Sequence, residues 1–233
     1  MKNKKLVTNI LKAILIFIVF LFNSYIKRSI CLLFNIKIKG MSTSTNLILT
    51  FVVYLIIIGL SILLYGKEFK TEWKNFKSKL GKNLDTALKC YGIGFLGMII
   101  FNIIINYVLR LGQSQNENAV QAIIKETPFL MIIYAGIIGP IVEELVFRKS
   151  LKNVFKNKWV FVIISGVLFG LLHVIGFELK TPLELLYILP YGSLGAMFAY
   201  MDYEIDSTFP SIIMHMLHNT VLVILSVVMA TMV

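Results

Sequence analysis

Seven predominantly apolar stretches, each close to the length of a membrane crossing, run through this chain and leave little room for a water-soluble fold. They cover residues 7–25, 46–65, 90–109, 128–155, 158–175, 183–201 and 209–232. A helix needs about 20 such residues to span a hydrocarbon layer roughly 30 Å thick. The composition agrees, with 58% of the 233 residues hydrophobic and 15% charged, against about 45–50% and about 25% in soluble domains. A soluble domain and a disordered chain are both excluded. The fold expected is an all-α, polytopic helical membrane protein with about seven transmembrane helices. Residues 30–38 are too short to cross and are expected at the interface; an eighth crossing follows if they dip into the membrane with their neighbours.

Loop charges orient the spans. With the N-terminus in the cytoplasm, the inner loops hold 15 Lys and Arg and the outer loops 7, as the positive-inside rule requires. Residues 67–89 are basic, with Phe69, Trp73, Phe76, Leu80 and Leu84 at helical spacing, and they predict an amphipathic helix on the inner leaflet. The net charge of +11 therefore points to anionic lipid. No aromatic-laced basic patch points to nucleic acid. Cys31 and Cys90 have no metal or redox spacing and are read as free thiols. Lys, Ile and Asn are abundant and Arg is scarce, which favours a bacterial plasma membrane. The chain divides into N-terminal helices, 1–125, and a core, 126–233, that holds the chemistry.

Ionisable groups inside a bilayer are costly unless paired or facing a cavity, so each is a functional candidate. Glu143 and Glu144 lie deep in the fourth apolar stretch and Glu184 at the edge of the sixth. All three histidines, His173, His215 and His218, lie in apolar segments. Glu144 and Arg148 are four residues apart and can pair on one helix face, which by itself is a structural role. Glu143 points about 100° away. Pro140 removes a backbone bond just before the acids and should bend the helix, and Pro190-Tyr191-Gly192 is a second candidate kink. Gly166 and Gly170 form a close-packing face. Phe169 and His173, like His215 and Asn219, share a face at i,i+4. Counted from a turn near Asn157, Glu143 and His173 are expected at matching depth on antiparallel helices. A desolvated carboxylate has a raised proton affinity and suits a general base near neutrality. With a histidine it can activate water against an amide carbonyl, while His215 and Asn219 hold the developing oxyanion.

These residues form three ordered motifs: EExxxR at 143–148, FxxxH at 169–173 and HxxxN at 215–219. Together they resemble the signature of the CPBP (CAAX protease and bacteriocin-processing, also called Abi) intramembrane protease family, to which the Ras-converting CAAX endopeptidase belongs. The resemblance spans about residues 139–219. It implies that Glu143 activates water with His173, that Glu144 is the second glutamate, facing Arg148, that His215 and Asn219 support the oxyanion, and that Phe169 shapes the pocket. His218 lies outside the pattern. The family is often described with eight spans.

The function expected is an intramembrane endopeptidase acting on membrane-associated peptides or proteins, with a role in bacteriocin immunity or peptide-signal processing. Members are often called metalloproteases. Zn²⁺ would suit Glu143, His173 and His215, but HExxH is absent and the metal-free reading is preferred. No cofactor is expected to be required. The partners expected are membrane lipid and a peptide or protein substrate. A non-catalytic membrane immunity or binding protein of the same fold predicts function without Glu143. An ion or proton transporter predicts a Glu/His relay, but no inverted repeat accompanies it.

Overall fold

The computed structural model describes residues 2–177 and 179–232, and among these the chain is helical without strands. The described residues form nine helices: α1 (Lys2–Leu21), α2 (Asn23–Leu33), α3 (Thr43–Ser78), α4 (Leu80–Val108), α5 (Gln115–Glu126), α6 (Pro128–Lys152), α7 (Lys158–Leu172), α8 (Ile188–Ile205) and α9 (Phe209–Met232). A 3-10 turn, Pro182–Tyr187, leads into α8.

By length and composition α3, α4, α6 and α9 can each cross a membrane, and α1 with α2 makes a fifth span if that pair, bent by 62°, is one broken crossing. The seven crossings expected thus reduce to four or five on this measure. The α7 helix is apolar but has 15 residues, about 22 Å at 1.5 Å per residue, short of the hydrocarbon thickness. The sixth apolar stretch is split between the 3-10 turn and α8, whose last turns carry Asp202 and Glu204. Residues 67–89 are not one amphipathic helix either. They are the end of α3 and the start of α4, separated at Lys79. The Asn83 amide donates to the Asn75 and Phe76 carbonyls at 3.2 and 2.8 Å, satisfying end groups that a finished helix leaves open. Phe76 is buried with Cys90, Met201 and Met214.

Two compact units interleave in sequence: one holds residues 1–70, 123–154 and 216–233, the other 71–122 and 155–215. In the first, Phe147 of α6 takes Phe17 and Phe20 of α1 edge-on at 5.5 and 5.8 Å. The end of α6 is tied to α3 by a buried cation. Lys149, 1% exposed, reaches Glu68 at 2.8 Å and lies over the Tyr65 and Phe69 rings, and Asn153 donates to the same carboxylate at 2.8 Å.

In the second unit α8 packs on both α4 and α7, and small residues let it do so. A Cβ on Gly166 would fall 2.8 Å from the Ala196 Cβ, and one on Gly170 2.6 Å from the Ile188 carbonyl oxygen. The glycine pair of α7 is therefore a packing face, as its spacing predicts. Pro190, read as a candidate kink, sits in the first turn of α8, where a missing N–H costs nothing. The start of α7 is capped by Asn157, whose side chain accepts from the Trp159 and Val160 amides.

Candidate functional site

The glutamates lie on a helix that changes its winding twice. Two π-turns, Tyr134–Ile138 and Leu145–Lys149, bracket a six-residue α-helical segment, Gly139–Glu144. Such turns insert a residue into the helical repeat and are frequent at functional sites. The first precedes Pro140, which cannot donate to the preceding turn. The carbonyls there find donors on α9 instead: Asn219 Nδ2 donates to the Ala135 oxygen and Thr220 Oγ1 to the Gly136 oxygen, each at 3.0 Å.

Glu144 and Arg148 form the ion pair their spacing predicts, Nε to Oε2 at 3.1 Å, with both side chains 0% exposed. A buried charge tolerates such a site only when paired. Glu143 is half-buried. In the same unit the Tyr54 and Tyr134 hydroxyls are hydrogen-bonded at 3.3 Å with stacked rings.

Two of the histidines, His173 and His215, gather around Phe169 in the other unit. His173 is the C-cap of α7, one residue past the helix in which the sequence places it. Its Nδ1 lies 2.8 Å from the Phe169 carbonyl. A carbonyl oxygen only accepts, so Nδ1 carries the proton and Nε2 is the basic nitrogen. The ring stacks on Tyr191, centroids 4.4 Å apart and 17° from parallel, and Tyr191 is held through its hydroxyl by Ser114 and Asn116. Phe169 also meets His215 edge-on at 5.6 Å, and Phe198 closes the other side of that imidazole at 5.1 Å. Phe169 thus lies against both imidazole rings. His173 opens onto a cleft that it lines with Ser114, Phe177, Leu179, Glu184 and Tyr187.

Within the glutamate-bearing unit the structure brings Glu144 to Arg148 and Asn219 to the glutamate helix. Within the histidine-bearing unit it brings His173, Phe169 and His215 together. Asn219, expected as an oxyanion donor, has committed one of its two amide hydrogens to Ala135. His218 is buried too. Tyr191, Phe198 and Thr220 escape sequence reasoning. Only Tyr191 carries a local signal, the Pro190-Tyr191-Gly192 turn residues, and that signal suggests a kink. Among the described residues no three His, Cys, Asp or Glu side chains gather as a metal ion would need.

Comparison with known proteins locates the similarity in this same region. Residues 125–221 match the family model for type II CAAX prenyl endopeptidase Rce1-like proteins. A Bacillus subtilis (strain 168) protein named "Putative membrane peptidase YdiL" is 29% identical over 182 residues, 76% of this chain and 70% of that protein. The UPF0177 protein YxdF of Lactococcus lactis subsp. lactis (strain IL1403) is 29% identical over 129 residues, 52% of this chain and 68% of that protein. No solved structure matches.

Proposed function

Because this helical membrane protein carries an Rce1-like domain over residues 125–221, we propose that it is an intramembrane endopeptidase that hydrolyses membrane-associated peptides or proteins with a glutamate-activated water. The observation that carries this reading is the division of labour between adjacent acids. Glu144 is held in a buried pair with Arg148, while Glu143 is half-buried. A half-buried carboxylate can serve as a general base.

In the proposed reaction Glu143 takes a proton from water as the water oxygen bonds to the amide carbon. The carbonyl electrons move onto oxygen, and His215 with the remaining amide hydrogen of Asn219 stabilises that oxyanion. His173, with Nε2 as its basic nitrogen, orients the water with Glu143. Collapse of the intermediate breaks the C–N bond, and the proton held by Glu143 passes to the leaving nitrogen. The reaction is written through the chain's own groups and needs no cofactor. We place the protein in a bacterial plasma membrane with a cytoplasmic N-terminus. Bacteriocin immunity and peptide-signal processing are the roles that suit such an activity.

The test is a cleavage assay on the detergent-purified protein with quenched fluorescent peptides and membrane-peptide precursors. Glu143→Ala and His173→Ala should each lower turnover by about 10²-fold or more, with wild-type activity unchanged by a chelator. Activity lost in chelator and restored by Zn²⁺ would replace this mechanism with a metal-dependent one. If no peptide is cleaved and Glu143→Ala still supports the cellular phenotype, the protein is a binding or immunity protein.

A further inference from the structure

We propose that Thr220 is a positioning residue for Glu143: together with Asn219 it holds open the π-turn before Pro140 and thereby decides which of the two glutamates faces the reacting water. Its catalytic side rests on the endopeptidase reading above; its geometric side does not.

In a regular helix the residue-140 amide would bond to the Gly136 carbonyl, and with π spacing to that of Ala135. Proline at 140 can do neither. Two adjacent carbonyls are thus deprived of one donor, and inside a membrane an unmet backbone group costs several kcal/mol. The structure meets both from α9, through Asn219 to Ala135 and Thr220 to Gly136. Gly136 permits the approach. A Cβ there would lie 2.9 Å from Thr220 Oγ1 and 3.2 Å from its Cα. The Gly139 amide completes the π-turn by bonding to the Tyr134 oxygen.

The consequence for chemistry follows from helix geometry. A π-turn adds one residue to the repeat, so losing it rotates everything downstream by about 100°. That is the angle separating Glu143 from Glu144. Glu144 and Arg148 both lie beyond this turn, so their ion pair moves with it; what the turn sets is the direction of both acids relative to the helix before it. With the turn lost, the two acids no longer occupy their observed directions.

The experiment compares wild type with Thr220→Val, which keeps shape but removes the donor, Thr220→Ser, which keeps it, Pro140→Ala, and the Pro140→Ala/Thr220→Val double variant. Two readouts are taken. One is kcat, KM and the pH profile of peptide cleavage, with Glu143→Ala as the inactive reference. The other is mass spectrometry after treatment with dicyclohexylcarbodiimide, which modifies protonated carboxyl groups in membranes and needs no turnover. Thr220→Val should lose about tenfold or more in kcat with little change in KM, shift the acid limb of the pH profile, and move carbodiimide labelling away from Glu143. Thr220→Ser should retain wild-type behaviour. In the Pro140→Ala background, where residue 140 regains an amide, adding Thr220→Val should change neither readout further.

Wild-type kcat, pH profile and labelling in Thr220→Val would overturn the proposal, even with a lowered melting temperature. So would additive losses in the double variant, which also answers the question if Thr220→Val alone does not fold. A wild type that cleaves nothing, with labelling that still shifts in Thr220→Val, refutes the endopeptidase reading and leaves the geometry standing.

Discussion

Glu143 and Glu144 are chemically identical and adjacent, yet their burial differs: one is fully enclosed with an arginine, the other only partly buried. Enclosure sets the size of the effect at the pair. Arg148→Met leaves an unpaired buried carboxylate, and a loss of about 3–5 kcal/mol is expected, read as a large drop in the detergent melting temperature. The Glu144→Gln/Arg148→Met double variant should recover much of it, since no lone charge remains. At the surface the scale shrinks. Asn157→Ala removes an N-cap that serves two amides and should cost about 1 kcal/mol, with faster hydrogen exchange at Trp159 and Val160. The i,i+4 pairing of Glu144 with Arg148 was legible from spacing alone because helix geometry is local. The proton position on His173 was not: it depends on the helix ending at Leu172, so that the ring folds back onto the Phe169 carbonyl.

Among the elements, those with terminal signals in the sequence came through clearly. The expected start of α6 at Pro128 and both ends of α9 agree with the structure. The α5 helix was overlooked although Ser114-Gln115-Asn116-Glu117 has capping-box spacing; the Ser114 hydroxyl does accept from the Glu117 amide at 3.1 Å. The π-turns were invisible because a hydrophobic pattern does not register one extra residue when nearly every position is apolar. For the same reason the break at Lys79 was missed, since basic residues with apolar spacing continue on both sides of it. The packing of α7 on α8 gives a contrast between glycines. Gly170→Leu forces a side chain into the Ile188 backbone and should destabilise by about 1–3 kcal/mol or more. Gly92→Ala in α4, where a Cβ meets nothing within 4 Å, should be neutral or stabilising by up to about 1 kcal/mol. Melting curves of the two variants in the same detergent check both.

At the scale of the whole molecule the bias in basic residues predicts topology. In a background with Cys31 and Cys90 replaced by serine, Lys156→Cys should react with an impermeant thiol reagent only after the cytoplasmic side is opened. Gln113→Cys should react in intact cells. The reverse pattern would invert the orientation. Among the described residues four or five helices are long and apolar enough to cross a membrane, fewer than the seven apolar stretches. Mean hydropathy reports that a segment avoids water, and a short helix packed on protein satisfies that as well as one in lipid.

What the sequence by itself determined is the class and the chemistry: a helical membrane protein, carboxylates and imidazoles in apolar surroundings, and three motifs in a fixed order. Those follow from transfer free energies and helix periodicity, which are properties of each segment alone. Only the tertiary structure decided that Phe169 meets two histidine rings and that Thr220 and Asn219 supply the bonds Pro140 withholds. Each of these depends on groups far apart in the chain competing for the same donors and the same space, and no local pattern records which of them wins.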